Sequence, residues 1–174
     1  MDTLSTAKKT SGKKFWDYAP LIFTGFYLLP TIFNVSNLSA NNIVMTFAFY
    51  IVFILLYVKA MDCENSNVTK LFVVMLLVCF SATFYTSGTS TLFGFIAYIA
   101  GSSYSYKQRV FAALAVIVSV IGAAYAADVH NVKYFFAGSL ILCGALFAFG
   151  IAGQKERLHK KREQESANQL EQLA

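Results

Sequence analysis

The stretch YFFAGSLILCGALFAFGIAGQ, from Tyr134 to Gln154, contains no charged residue, and KERLHKKR follows it directly at residues 155–162. An apolar run of about 20 residues is long enough to cross a membrane as an α-helix. A dense basic segment beside such a run is typical of the cytoplasmic side of a membrane. This part of the sequence therefore predicts a membrane-spanning helix with a basic cytoplasmic extension.

Three earlier stretches are also free of charge, namely Tyr18–Val58, Leu71–Tyr106 and Val110–Ala127. Only 13% of the residues are charged and 57% are hydrophobic, whereas a soluble domain carries about 25% charged residues. We therefore predict an all-α polytopic membrane protein. It would be a bundle of about six transmembrane helices, with five as the alternative, followed by a C-terminal cytoplasmic helix.

The six predicted spans have approximate limits set by charged and polar residues. They are Phe15–Phe33, Ile43–Val58, Leu71–Tyr85, Leu92–Ser105, Val110–Ala127 and Tyr134–Ala152. We expect Pro30 to kink or end the first span, because proline removes a backbone donor from a helix. The fourth span is short for a membrane crossing and could instead be re-entrant or strongly mismatched with the bilayer.

The basic residues fall mainly on one side of this topology. Thirteen of the fourteen Lys and Arg residues face the same side in the six-span arrangement, and only Lys133 faces the other. The positive-inside rule makes that side cytoplasmic. We therefore expect both termini in the cytoplasm, with residues 1–14 as an N-terminal tail, 15–152 as the membrane domain and 153–174 as a juxtamembrane helix.

The net charge of +5 resides at membrane hinges and in the tails. Its expected partner is therefore the anionic surface of the lipid bilayer rather than nucleic acid. Five basic residues after the last span are the predicted membrane-surface and signalling residues: Lys155, Arg157, Lys160, Lys161 and Arg162.

Small residues recur at four-residue spacing in two spans. They are Ala115, Ser119, Ala123 and Ala127 in the fifth span, and Ala97 and Gly101 in the fourth. Such spacing places small side chains on one helix face and lets membrane helices approach closely. The sequence leaves two interpretations open, packing within one bundle or the contact face of a homodimer.

Few side chains are suited to chemistry. The ionisable residue closest to the interior of a span is Asp17, which could pair with Lys13 or Lys14 at the interface or form a functional ion pair with a loop. His130 and His159 lie on opposite sides of the predicted membrane, so they do not form a metal site together. We predict no catalytic, cofactor-binding or metal-binding residue in this chain.

The end of the chain is predicted to be helical. No Pro or Gly follows Gly153, and the residues after it are strong helix formers. The last span is therefore expected to continue into the cytoplasm as one rod, with Gly150 and Gly153 at its exit. A thin apolar seam along the rod would consist of Leu158, Ala167, Leu170 and Leu173. The abrupt stop at Ala174 suggests that a longer parent protein continues beyond it.

Two stretches resemble the membrane input region of DesK-like bacterial sensor histidine kinases, which are usually paired with LuxR/NarL-type response regulators. One is GFIAYIAG at Gly94–Gly101, which is similar to the fourth span of that group. The other is the tail Lys155–Ala174, which is similar to the helix before the dimerisation and phosphoacceptor domain. His159 is followed by Lys160 rather than by an acidic residue, so the phosphoacceptor role is not carried over to it.

The resemblance implies a homodimer in the bacterial inner membrane that senses a membrane or small-molecule cue. The final helix would pass that cue to an ATP-dependent kinase core absent from this chain, and only that core would meet a response regulator. Two alternatives stay open from the residues alone. One is a small transporter or channel subunit, and the other is an accessory membrane scaffold protein.

Overall fold

The computed structural model describes residues 21–62, 65–126 and 132–173, and all regular elements within these ranges are helices. Five are long, and we number them α1 (Ala40–Asp62), α2 (Asn65–Ala82), α3 (Thr89–Ser103), α4 (Tyr106–Ala126) and α5 (Val132–Leu173). Shorter helical turns precede them in the part we call the first segment, residues 21–37. The prediction of an all-α fold is confirmed for these described residues.

The first segment alternates between α-helical and 3₁₀ turns, so the described part of the predicted first span is not one helix. Leu21–Thr24 is α-helical, Gly25–Leu28 is a 3₁₀ turn, Leu29–Phe33 is α-helical and Val35–Asn37 is again 3₁₀. Pro30 has no N–H to bond the carbonyl of Phe26, and the N–H of Leu29 bonds that carbonyl instead. Pro30 is expected to kink or end the first span, and the α-helix is already interrupted on the N-terminal side of Pro30, at the 3₁₀ turn Gly25–Leu28.

Helix α3 lies at the centre of the bundle. Ten of its residues are buried, on all sides of the helix. Its most extensive contact is with α5, and α2, α4 and the first segment also pack on it. At 15 residues it is about 22 Å long, which is less than the roughly 30 Å thickness of a hydrocarbon core. Because neighbouring helices enclose α3, its length does not have to match the thickness of a hydrocarbon core.

The outside of the bundle is strongly apolar. Large exposed side chains include Phe111 at 75%, Val118 at 66% and Ile141 at 74% exposure. Helices α1, α4 and α5 each contain an apolar run long enough to cross a membrane, and α2 contains the shorter apolar run Asn67–Ala82. Monomeric soluble proteins rarely expose contiguous apolar surface on this scale.

Helix α5 is unbroken over 42 residues, which corresponds to about 63 Å. Its first half packs in the bundle, while residues 155–160 and 162–169 are exposed. The helix therefore joins the predicted sixth span and the predicted tail rod in one element.

Candidate functional site

Helices α3 and α5 approach each other closely at two glycines, Gly101 on α3 and Gly150 on α5. A Cβ atom at Gly101 would overlap the carbonyl oxygen of Phe147 and lie 3.1 Å from the nitrogen of Ile151. A Cβ atom at Gly150 would overlap the carbonyl oxygen of Tyr98 and lie 3.1 Å from the Cα of Gly101. Because all these neighbours are backbone atoms, no rotamer change could make room for a side chain. We call this the glycine contact.

The same two helices meet again one and a half to two turns earlier. A Cβ atom at Gly94 would lie 2.8 Å from Cδ1 of Leu146 and 3.0 Å from Cγ of Leu142. Residue numbers thus increase together along both helices, so α3 and α5 run parallel. Helix α4 lies between them in the sequence. If successive helices cross a membrane in opposite directions, α3 and α5 run in the same direction.

Near the opposite end of α3, one hydroxyl bond joins the first segment to the α2–α3 turn and a second joins that turn to the start of α3. Thr31 Oγ1 donates to Thr86 Oγ1 at 3.3 Å, and Thr83 Oγ1 donates to Thr89 Oγ1 at 3.3 Å. All four threonines are buried, where an unbonded hydroxyl would be costly. These four residues form what we call the threonine cluster, and they connect the first segment, the α2–α3 turn and the start of α3.

A second backbone contact lies beside the threonine cluster. A Cβ atom at Gly88 would overlap the carbonyl oxygen of Tyr27. The N–H of Gly88 donates to Thr86 Oγ1 at 3.3 Å. Tyr27 is fully buried and stacks on Tyr50 of α1, with ring centroids 5.8 Å apart. The first segment is therefore fixed to α1 by ring stacking and to α3 by its backbone.

Positive charge collects at the other end of the bundle, near the glycine contact. Lys59 lies in the last turn of α1, Lys70 is near the start of α2, and Lys107 and Arg109 lie in the first turn of α4. The rings of Phe72 and Tyr104, 5.7 Å apart, bring the start of α2 beside the end of α3. Arg109 Nε donates to the carbonyl of Tyr104 at 2.7 Å. We call this the basic end, and α5 leaves the bundle here after Gly150.

The predicted membrane-surface residues lie on α5 just beyond the basic end. Lys155, Arg157, Lys160 and Arg162 are exposed, and Lys161 belongs to the same helix. Lys160 Nζ donates to Glu156 Oε1 at 2.6 Å, and His159 Nδ1 lies 3.2 Å from Glu163 Oε1. The hydrogen bond to Lys160 lowers the pKa of Glu156 and raises the pKa of Lys160. Such pairs at four-residue spacing stabilise the exposed helix.

The predicted small-residue positions have different environments. Ala97 and Gly101 are buried in α3, and Gly101 packs on α5 within the chain. On α4, Ala123 is buried while Ala115 and Ser119 are half-buried. The main buried face of α4 lies beside this stripe and consists of Ala112, Val116, Val120 and Ala124. Ala127 and Asp17 lie outside the described residues.

Sequence reasoning missed a small-residue face on α5. It consists of the small residues Gly138, Ala145, Ala148 and Ala152 together with the larger Ile141, and these five recur at spacings of three and four and are all exposed. We call it the outer face of α5. A Cβ atom at Gly138 would meet no atom within 4 Å, so packing within the described chain does not require a glycine there. The signal that could have found it is its heptad-like spacing.

The bundle interior contains two free thiols, Cys79 on α2 and Cys143 on α5, at 0% and 6% exposure. Within residues 21–62, 65–126 and 132–173, no group of three or more His, Cys, Asp or Glu side chains lies close enough to hold a metal ion.

No protein-family model, curated protein or solved structure matches this chain. The glycine contact, the threonine cluster and the exposed half of α5 are therefore the features from which a function is inferred.

Proposed function

We propose that this chain is the membrane-embedded input domain of a DesK-like two-component histidine kinase. Helix α5 would carry a membrane or small-molecule cue to a cytoplasmic kinase core that is absent from this chain. The observation that supports this best is the form of α5. One helix of 42 residues packs on the central helix α3 with its first half and extends as an exposed rod with its second. A rigid helix of this kind can transmit a displacement from the bundle to whatever follows it.

The surface of the bundle supports a location in the membrane. Its apolar exterior would be costly in water and favourable in lipid. The basic end carries Lys59, Lys70, Lys107 and Arg109, and cytoplasmic loops are enriched in such residues. We therefore infer a multi-pass protein of the bacterial inner membrane with its basic end and both termini in the cytoplasm. The parallel direction of α3 and α5 agrees with six crossings.

The exposed basic residues of α5 would lie at the cytoplasmic lipid surface. Each Lys or Arg near an anionic membrane surface contributes about 1 kcal/mol of attraction. Lys155, Arg157 and Lys160 lie within about three turns of Gly150, after which α5 leaves the bundle. These residues, together with Lys161 and Arg162, would hold the start of the rod against anionic headgroups.

A homodimer is part of this proposal. In lipid, helices associate through small residues that allow close approach, and four of the five residues on the outer face of α5 are Gly or Ala. Gly101 is used within the chain, so the outer face is a better candidate for the dimer contact than the α3 stripe. A response regulator would interact only with the missing kinase core.

The proposal is tested by joining residues 1–174 to the dimerisation and kinase domains of a characterised histidine kinase. Insertions of one to four residues after Gln169 would rotate those domains by about 100° per residue. Autophosphorylation in proteoliposomes should vary periodically with insert length and return with a seven-residue insert. The activity should also respond to bilayer thickness. Activity that ignores both the insert and the lipid would reject an input role.

Two further measurements separate the proposal from its alternatives. Replacing the five basic residues between Lys155 and Arg162 by Gln should change kinase output, whereas replacing Gln164 and Asn168 by Ala on the same rod should not. Flux of a neutral solute through proteoliposomes of the unfused chain would instead favour the transporter or channel interpretation.

A further inference from the structure

Helix α3 has the same kind of contact at both of its ends. At one end Gly88 lies against the carbonyl of Tyr27, and at the other Gly101 lies against the carbonyl of Phe147. Side chains can absorb a small displacement by changing rotamer, but a backbone atom in contact with another backbone cannot. If one partner shifts at either contact, the other partner must therefore move with it, or the two backbones must separate.

Between the two contacts, α3 is well suited to move as a rigid body. Its buried residues Leu92, Phe93 and Phe95 point to different sides of the helix and all pack in the core, and close-packed interiors transmit displacement because they are hardly compressible. The helix contains no proline, and all 15 residues from Thr89 to Ser103 are α-helical.

The first segment, although held by Tyr27, contains a point at which its helix can bend. Its 3₁₀ turn Gly25–Leu28 lies between two short α-helical pieces, and a 3₁₀ stretch within a helix often marks a hinge because its hydrogen bonds have poorer geometry. Two of its side chains reach other parts of the bundle through hydroxyl bonds. Thr31 bonds Thr86 near the start of α3, and Thr24 bonds Tyr50 of α1 at 3.1 Å.

We propose that α3 couples the first segment to α5, so that a rearrangement at the threonine cluster displaces the exposed rod at the opposite end of the bundle. The displacement passes from Tyr27 to Gly88, along α3, and through the glycine contact to α5. This coupling does not depend on a kinase following the chain, because it concerns only the positions of helices within it.

The test measures the position of the rod after a change at the far end. The third cysteine of the chain, Cys63, lies outside the described residues and would be replaced by Ser. Spin labels would then be introduced at Lys70→Cys on α2 and Gln164→Cys on α5, and the distance between them measured by pulsed electron paramagnetic resonance in lipid nanodiscs. Both labelled positions are exposed. Double-labelled protein diluted with unlabelled protein restricts the signal to one chain.

The perturbation is Thr31→Val, which removes the bond to Thr86 while keeping the shape of the side chain. Its matched control is Thr46→Val. Thr46 is also buried, but its hydroxyl bonds the carbonyl of Asn42 in its own helix at 2.8 Å. We expect Thr31→Val to shift the mean label distance by roughly 1–2 Å, the scale of helix shifts in switching proteins, and Thr46→Val to leave it unchanged.

A second experiment tests whether the displacement passes through the glycine contact. In a Gly101→Ala background, in which the glycine contact is loosened, Thr31→Val should no longer shift the label distance, whereas in a Gly122→Ala background it still should. The proposal is overturned if Thr31→Val leaves the distance unchanged, if both threonine variants shift it equally, or if the shift persists in Gly101→Ala.

Discussion

Replacing Gly101 by alanine is the sharpest test of the α3–α5 packing. The new Cβ would overlap the carbonyl oxygen of Phe147 and lie 3.1 Å and 3.3 Å from backbone atoms of Ile151 and Gly150. Because α5 offers only backbone at this point, the helices must separate by about 1 Å. A radial gap of 0.5–1 Å loses roughly a quarter to a half of the dispersion energy of the atoms concerned.

The expected cost follows from two opposing effects. Overpacking of a close-packed interior typically costs about 1–3 kcal/mol, and the upper half of that range applies because no side chain can move aside. Alanine is favoured over glycine in a helix by about 1 kcal/mol. We therefore expect Gly101→Ala to lower the free energy of unfolding by about 1–2 kcal/mol.

The matched control is Gly122→Ala on α4. There the nearest atom to the new Cβ is Cε2 of Phe80 at 3.6 Å, which is an ordinary contact, so only the helix preference remains. We expect this variant to be unchanged or more stable by up to about 1 kcal/mol. The two variants should thus differ by about 2 kcal/mol although each adds one methyl group.

The assay is reversible unfolding in mixed micelles of a mild detergent and dodecyl sulfate, followed by far-ultraviolet circular dichroism. Gly150→Ala should behave like Gly101→Ala, because the contact is reciprocal. The double variant should cost less than the sum of the two, by about 1 kcal/mol, since helices already separated accept the second methyl group. Equal stability of Gly101→Ala and Gly122→Ala, or strict additivity in the double variant, would refute the backbone contact.

Three further predictions concern other parts of the chain. Gly88→Ala should lower the free energy of unfolding by about 1–3 kcal/mol in the same assay, because its Cβ would overlap the carbonyl oxygen of Tyr27 in the first segment. A variant as stable as the wild type would contradict that contact. Cys79 and Cys143 are buried, so they should react with a maleimide at least about tenfold more slowly in the folded protein than in dodecyl sulfate. Mass spectrometry measures the rate at each cysteine, and equal rates in the two conditions would contradict their burial. The helix around Glu156 and Lys160 should lose order as the pH falls through the lowered pKa of Glu156, and again as the pH rises through the raised pKa of Lys160. Cα chemical shifts measure this loss of helix. Glu156→Gln should abolish the change at acid pH.

The sequence was sufficient to predict the helical class and the continuity of α5. Both depend on local properties, namely the absence of charge over long runs and the absence of Pro and Gly after Gly153. Helix α1 (Ala40–Asp62) extends beyond both ends of the predicted second span, and α4 (Tyr106–Ala126) begins before the predicted fifth span, because polar residues at the ends of an apolar run can continue the helix.

The position of α3 could not be predicted from the sequence. In a water-soluble protein, polarity distinguishes the buried face of a helix from its exposed face, but a helix surrounded by lipid and one surrounded by other helices are both apolar. The same ambiguity applies to the small residues. Gly101 and Gly138 both lie in apolar helices, yet Gly101 meets a neighbouring backbone and Gly138 meets nothing within 4 Å. Only the pairing of helices separates the two roles.

The two kinds of small residue on α5 limit the motion that this helix can make. At about 100° per residue, Ala148 and Ala152 lie roughly opposite Gly150, so α5 presents one side to α3 and the other side outward. Rotating α5 by about 30° would move the Cα of Gly150, at a radius of 2.3 Å, by about 1.2 Å and turn the side chain of Phe149 or Ile151 towards α3. The glycine contact has no room for such a side chain, whereas α3 and α5 can tilt or shift together without changing it. A displacement transmitted through this bundle is therefore expected to move the two helices as a pair, which would reposition the outer face of α5 against lipid or a second copy rather than rotate α5 alone.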